Sequence, residues 1–179
     1  PQHSSGLRQA MGQLAQAAMA QYGETLKSPE ARFGPASARI PRGVLPEALL
    51  PPLEAVLAHS TGLLDVLRAI AKALRSTIKE TPDEAPRLAA LYAQLGSLAP
   101  RLEAVFATTE LLLHTPAPGQ APAAKWFTLE MDGEWIALQA HASPILPGST
   151  LRQHLWSQVR GAVLTSATLT SCGSFDFFL

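Results

Sequence analysis

The chain has 179 residues with 14 basic and 14 acidic side chains, so it carries no formal net charge at neutral pH. That balance excludes a global field pulling the chain towards nucleic acid or membrane, and leaves any such contact to a local patch. With 47% of residues apolar and 6% aromatic, a core can be buried, wholesale disorder is excluded, and an Ala- and Leu-rich composition favours helix over sheet.

In chain order, a first helix is expected after Ser4-Ser5, a good N-cap pair, with Leu7, Met11, Leu14 and Ala18 at helical spacing, ending near Tyr22-Gly23. From Ser28 to Pro52 six prolines predict irregular structure or short turns. Two long apolar stripes follow. The first is Leu49, Leu53, Val56, Ser60, Leu63, Leu67, Ile70 and Leu74; the second is Leu88, Leu91, Leu95, Leu98, Leu102, Val105, Thr109 and Leu112. Joined by the turn Thr81-Pro82-Asp83-Glu84-Ala85-Pro86, they predict an antiparallel helical hairpin whose stripes leave water together. Pro100 falls inside the second stripe and predicts a kink or break.

Beyond the linker 116–122 the period changes. Trp126 to Met131 and Glu134 to Ala140 flank Asp132-Gly133, a two-residue hairpin turn. That register puts Phe127, Leu129, Met131, Ile136 and Leu138 on one face, and pairs Trp126 with Gln139 and Glu130 with Trp135 on the other. Ser149-Thr150 then caps a short helix, Leu151 to Val159, ended by Gly161, and Ala162-Val163-Leu164 reads as a buried strand. The predicted class is therefore mainly α: a helical hairpin or bundle over residues 1–124, then a small α/β strip over 125–179 with a β-hairpin and a core strand.

A single cysteine, Cys172, excludes a disulfide framework, a Cys-only zinc site or an iron–sulfur cluster within these residues, and fits a reducing, cytoplasmic setting. No apolar run approaches the ~20 residues of a membrane helix. The five histidines show no metal-ligand spacing, and packing or surface roles are favoured. Trp126, Trp135 and Trp156 have the chemistry to stack on bases, but core or hairpin packing is the preferred reading. Arg68, Lys72, Arg75 and Lys79, spaced four, three and four, line one side of the first long helix as a candidate phosphate-binding row. The bland alternative is a solvated face, blunted by Asp65, Glu80 and Glu84.

The most specific segment is Arg160-Gly161-Ala162-Val163-Leu164-Thr165-Ser166-Ala167-Thr168-Leu169. It resembles the third motif of superfamily 2 helicases, in the strand-then-TSATL form of the DinG, YoaA and XPD group. Pro144-Ile145-Leu146, Leu151, Leu155, Trp156 and Ser174-Phe175 resemble the flanks of that motif. The helical hairpin agrees in kind with the arch that the family inserts between its second and third motifs.

The resemblance implies a parent that is an ATP-dependent DNA helicase, using ATP and Mg and acting on single-stranded or forked DNA in repair or replication. Thr165, Ser166 and Thr168 would couple nucleotide state to DNA grip rather than cleave a bond. No phosphate loop, Asp-Glu-Ala-His run or cysteine quartet is present, so ATP, Mg and any iron–sulfur cluster would belong to the remaining helicase domains of the same chain. Both ends read as cut. The chain opens on Pro1 without Met and closes on the apolar Phe175-Asp176-Phe177-Phe178-Leu179, which expects partners beyond it. Alone, these residues are expected to be inactive. The rival reading is a non-enzymatic helical interaction module.

Overall fold

A computed structural model describes residues 2–27, 36–117, 120–132, 135–146, 148–161, 163 and 165. Helix α1 runs Gln2–Leu26, strand β1 Ala36–Arg39, helix α2 Leu50–Glu80 and helix α3 Ala85–Leu113. Strands β2, Ala123–Asp132, and β3, Trp135–Pro144, form the hairpin, and helix α4 is Gly148–His154. The architecture is mainly helical, with a helical hairpin followed by a small antiparallel sheet of three strands.

Helix α1 starts earlier and ends later than its spacing predicts. Ser5 does not cap; its hydroxyl donates to the carbonyl of Gln2, as serines inside helices do. The C-terminal end extends past Gly23 because Leu26 is buried in the core.

In the hairpin, Pro51 and Pro52 occupy the first turn of α2, where a missing N–H costs nothing. A 3-10 turn, Pro82–Glu84, links the helices, and α3 continues through Pro100 without a break. The first stripe is buried at Leu49, Leu53, Val56 and Ser60 and then moves to Leu64, not the expected Leu63. A straight helix drifts ~20° per heptad, so a strict seven-residue repeat cannot stay on one seam. Further out the stripes lose cover. Ile70, Leu91 and Leu98 are exposed, the last two at 45% and 51%, because two helices alone cannot enclose them. Between Leu64 and Leu102 no described side chain is fully buried.

Where irregular chain was expected between Ser28 and Pro52, residues 36–39 form β1, which pairs antiparallel with β2 from Ala36↔Leu129 to Arg39↔Trp126. Two 3-10 turns, Pro41–Gly43 and Glu47–Leu49, carry the chain from β1 into α2. In the β-hairpin the ladder closes at Asp132↔Trp135, so Trp126 faces His141 and Glu130 faces Ala137, correcting the Gln139 and Trp135 pairings. The partner of each β2 residue moves by two positions, an even shift that leaves each described side chain on its expected face.

One core joins these parts. Ala18 and Leu26 of α1, Leu49 and Leu53 at the base of α2, Leu112 of α3, Ala38 and Ile40 around β1, and Phe127 and Leu129 of β2 pack together. Phe127 is fully buried, its ring 5.7 Å from that of Tyr22. Tyr22 is itself partly buried, and that desolvation raises its phenol above its ordinary pKa.

Past β3, α4 already contains Ser149 and Thr150 and ends at His154, followed by a 3-10 turn Trp156–Gln158. The expected buried strand at 162–164 is not borne out at its described residue: Val163 lies in no strand and is 91% exposed. An apolar run becomes a strand only where neighbours complete its ladder, and no described strand pairs with it.

Candidate nucleic-acid interface

Arg68, Lys72, Arg75 and Lys79 stand exposed along the outer half of α2. Two of the four are already engaged across the hairpin. The Arg68 guanidinium lies 3.5 Å from the Asp65 carboxylate and 4.0 Å from Glu103 on α3. Arg75 sits over the Tyr92 ring at 5.7 Å. Lys72 and Lys79 have no ion-pair partner among the described residues. Glu80 accepts a hydrogen bond from Ser76 at 2.8 Å instead of facing Lys79. Glu103 and Tyr92 come from the return helix, so no spacing within α2 could reveal them. The pairs on Arg68 are solvent-exposed and exchange readily for phosphate oxygens, since surface ion pairs are worth about 0–1 kcal/mol.

The sheet presents a second polar surface on the side away from Phe127 and Leu129. In register across the strands stand Arg39, Trp126 and His141, then Ser37, Thr128 and Gln139. The rings of Trp126 and His141 are stacked, 5.0 Å apart and 6° from parallel. A 2.8 Å hydrogen bond links Thr128 Oγ1 to His141 Nε2, and Gln139 donates to Glu130 at 2.9 Å. Trp126 therefore lies on the hairpin's outer face rather than in the core. Lys125 points the other way. Its ammonium donates to the carbonyl of His114 at 2.9 Å, satisfying the C-terminal end of α3, and burial lowers its pKa.

Thr165 is exposed in no regular element, while Ser166 and Thr168 lie outside the described residues, as do Cys172 and the apolar end. No group of three or more His, Cys, Asp or Glu that could hold a metal ion occurs among the described residues. Two histidines distant in sequence do meet: His3 and His59 have ring centroids 6.1 Å apart. The recess between α1, α2, α3 and β3 is lined mainly by apolar side chains such as Met11, Leu14, Val56 and Leu138. No described helix is long and apolar enough to cross a membrane.

No model of a known protein family matches this chain. Over 86 residues it is 34% identical to the ATP-dependent DNA helicase DinG of Photobacterium profundum. That likeness supports a helicase-family relationship. The matched stretch covers 48% of this chain and 12% of that helicase.

Proposed function

We propose that these residues are part of an ATP-dependent DNA helicase that moves along a single strand and separates duplex DNA. The likeness to DinG carries the reading, and the Thr165 to Leu169 segment agrees with it. In this reading residues 1–124 are an arch-like insert and residues 125–179 a segment of the motor. The long hairpin helps enclose the strand, and Arg68, Lys72, Arg75 and Lys79 offer it phosphate contacts. Thr165, Ser166 and Thr168 sit where nucleotide state is passed to the DNA-gripping surface. Small hydroxyl side chains suit that task because they exchange hydrogen-bond partners across a cleft without steric cost. ATP and Mg, and an iron–sulfur cluster where one exists, are held by other parts of the parent protein.

The test is Ser166→Ala with Thr168→Ala in the full-length protein. Each lost side-chain hydrogen bond is worth about 0.5–1.5 kcal/mol, and the loss falls on the coupling between sites. DNA-stimulated ATP hydrolysis and strand binding are expected to persist in large part while unwinding falls much further. A folded double variant that unwinds at the parental rate removes the coupling role.

A second reading, a helical interaction module, draws on exposed Ile70, Leu91 and Leu98 along the outer hairpin. Absence of ATPase activity from the full-length protein would favour it.

A further inference from the structure

The row Arg39, Trp126 and His141 runs straight across β1, β2 and β3 on the face opposite the core. His141 covers one side of the indole through the stacked contact. On the β1 side a recess of about 460 Å³ opens, lined by Ser37, Arg39, Ala124 and Trp126 together with Ile40 and Lys125. An aromatic plane, a guanidinium and a hydroxyl bordering one recess are the groups that hold a nucleotide unit. The plane takes the base, the cation takes the phosphate and the hydroxyl takes sugar or phosphate oxygen.

Neither Arg39 nor Arg42 has an ion-pair partner among the described residues, so both remain available to phosphates. Arg42 also holds φ 56°, a left-handed conformation that costs a non-glycine residue free energy, in the turn that leads away from this end of β1. The next residue, Gly43, sits so close to the carbonyl of Ala123 that a Cβ there would collide with it. That contact pins the turn against the start of β2. Glu130, on this face of β2, is occupied by Gln139 and lies four residues from Trp126.

We infer that this sheet face binds single-stranded DNA, stacking one base on Trp126 beside a phosphate held by Arg39. The choice of DNA as occupant rests on the helicase reading, but the site is separate from the basic row on α2.

The probes are a labelled oligothymidylate and a strand of equal length with abasic sugars, each bound to the 179-residue chain. Base–aromatic stacking predicts that the chain prefers the oligothymidylate, and that Trp126→Leu weakens it by roughly 5- to 150-fold while leaving the abasic strand unaffected. Trp126→Phe, which keeps a π-face, should recover most of the affinity. Arg39→Ala should weaken both strands and lower the slope of log affinity against log salt by about 0.7. Trp126→Leu binding oligothymidylate like the parent, with an unchanged melting temperature, would overturn the proposal. So would equal affinity for the two strands, no binding of either, or thymidine monophosphate binding as tightly as the oligonucleotide. Replacing Arg68, Lys72, Arg75 and Lys79 by Ala separates the two readings. If that variant alone loses strand affinity, the α2 row stands and the sheet site falls.

Discussion

Gly6 of α1 lies directly beneath the imidazole of His59 on α2, leaving no room for a Cβ. The contact is reciprocal, for His3 of α1 lies over Gly62 of α2 in the same way. Glycine in the body of a helix usually costs about 1 kcal/mol relative to Ala; here it lets the two helices approach through their histidines. Gly12, on the same helix, has nothing near its missing Cβ. Gly12→Ala should therefore stabilise the chain by up to about 1 kcal/mol. Gly6→Ala should not, because the half-buried His59 ring would have to move, and overpacking of this kind costs about 1–3 kcal/mol. Urea unfolding followed by circular dichroism reads both. An equal gain from the two substitutions would show that the His59 contact is easily displaced.

Lys125 gives a pH dependence with a definite sign. Burial lowers its pKa below the ordinary 10.5, so the folded state binds fewer protons than the unfolded state just below that pH. Stability therefore rises with pH across the window between the lowered value and 10.5. Tyr22, raised by burial, opposes this from 10.0 upward, where the unfolded phenol ionises first and stability is lost. Lys125→Met keeps the buried stem, and the Tyr22 contribution cancels in the difference between variant and parent. The variant should lose about 0.5–1.5 kcal/mol at neutral pH through the missing bond to His114. The gap should widen as pH approaches 10.5. A gap that narrows over that range would contradict the burial argument.

The four cations on α2 should behave as two pairs. Lys72→Ala with Lys79→Ala removes charges that have no ion-pair partner among the described residues. Helix content should survive, since Ala is the best helix former. If both lysines meet phosphates, the salt slope for single strands falls by about 1.4 in total. Arg75→Ala should instead loosen the hairpin by about 0.5–1 kcal/mol, the worth of its contact with Tyr92 at an exposed site. Binding isotherms at several salt concentrations, with thermal melts of the same samples, distinguish these outcomes.

Phe127→Ala should cost about 3–5 kcal/mol, the range for removing a buried aromatic ring. Because Phe127 packs in one cluster with Leu26, Leu53 and Leu112, helices and sheet should lose stability together. Hydrogen exchange that loosens β2 alone, with α1 and the base of α2 still protected, would show that the cluster is not cooperative.

The hairpin helices were legible because leucines at steps of three and four carry their own argument for helix. Strand β1 was not, since Ala36-Ser37-Ala38-Arg39 contains no β-branched or aromatic residue. Its pairing with β2, and the burial of Ala38 against the core, create it, and those partners lie far away along the chain. The Asp132-Gly133 pair signalled a turn, yet the ladder closes one residue later; only because the shift is even did the expected faces survive. Arg68 and Arg75 were recognisable as a row, but Glu103 and Tyr92 could not be assigned to them before the angular relation of α2 and α3 was known. The meeting of His3 with His59 was equally hidden, because it depends on two glycines that look like flaws in otherwise good helices.

The absence of buried side chains beyond Leu64 on α2 and before Leu102 on α3, among the described residues, gives the hairpin a mechanical character. About sixteen residues of each helix project past the core, roughly 24 Å at 1.5 Å per residue. Such a cantilever is stiff along its length and clamped at one end, so bending concentrates at the clamp. A tilt of about 10° at Leu64 and Leu102 would carry the tip at Thr81 through ~4 Å over that reach. Small repacking around Ser60, Thr109 and Leu112 is thereby geared up into a displacement comparable to the rise of one helical turn.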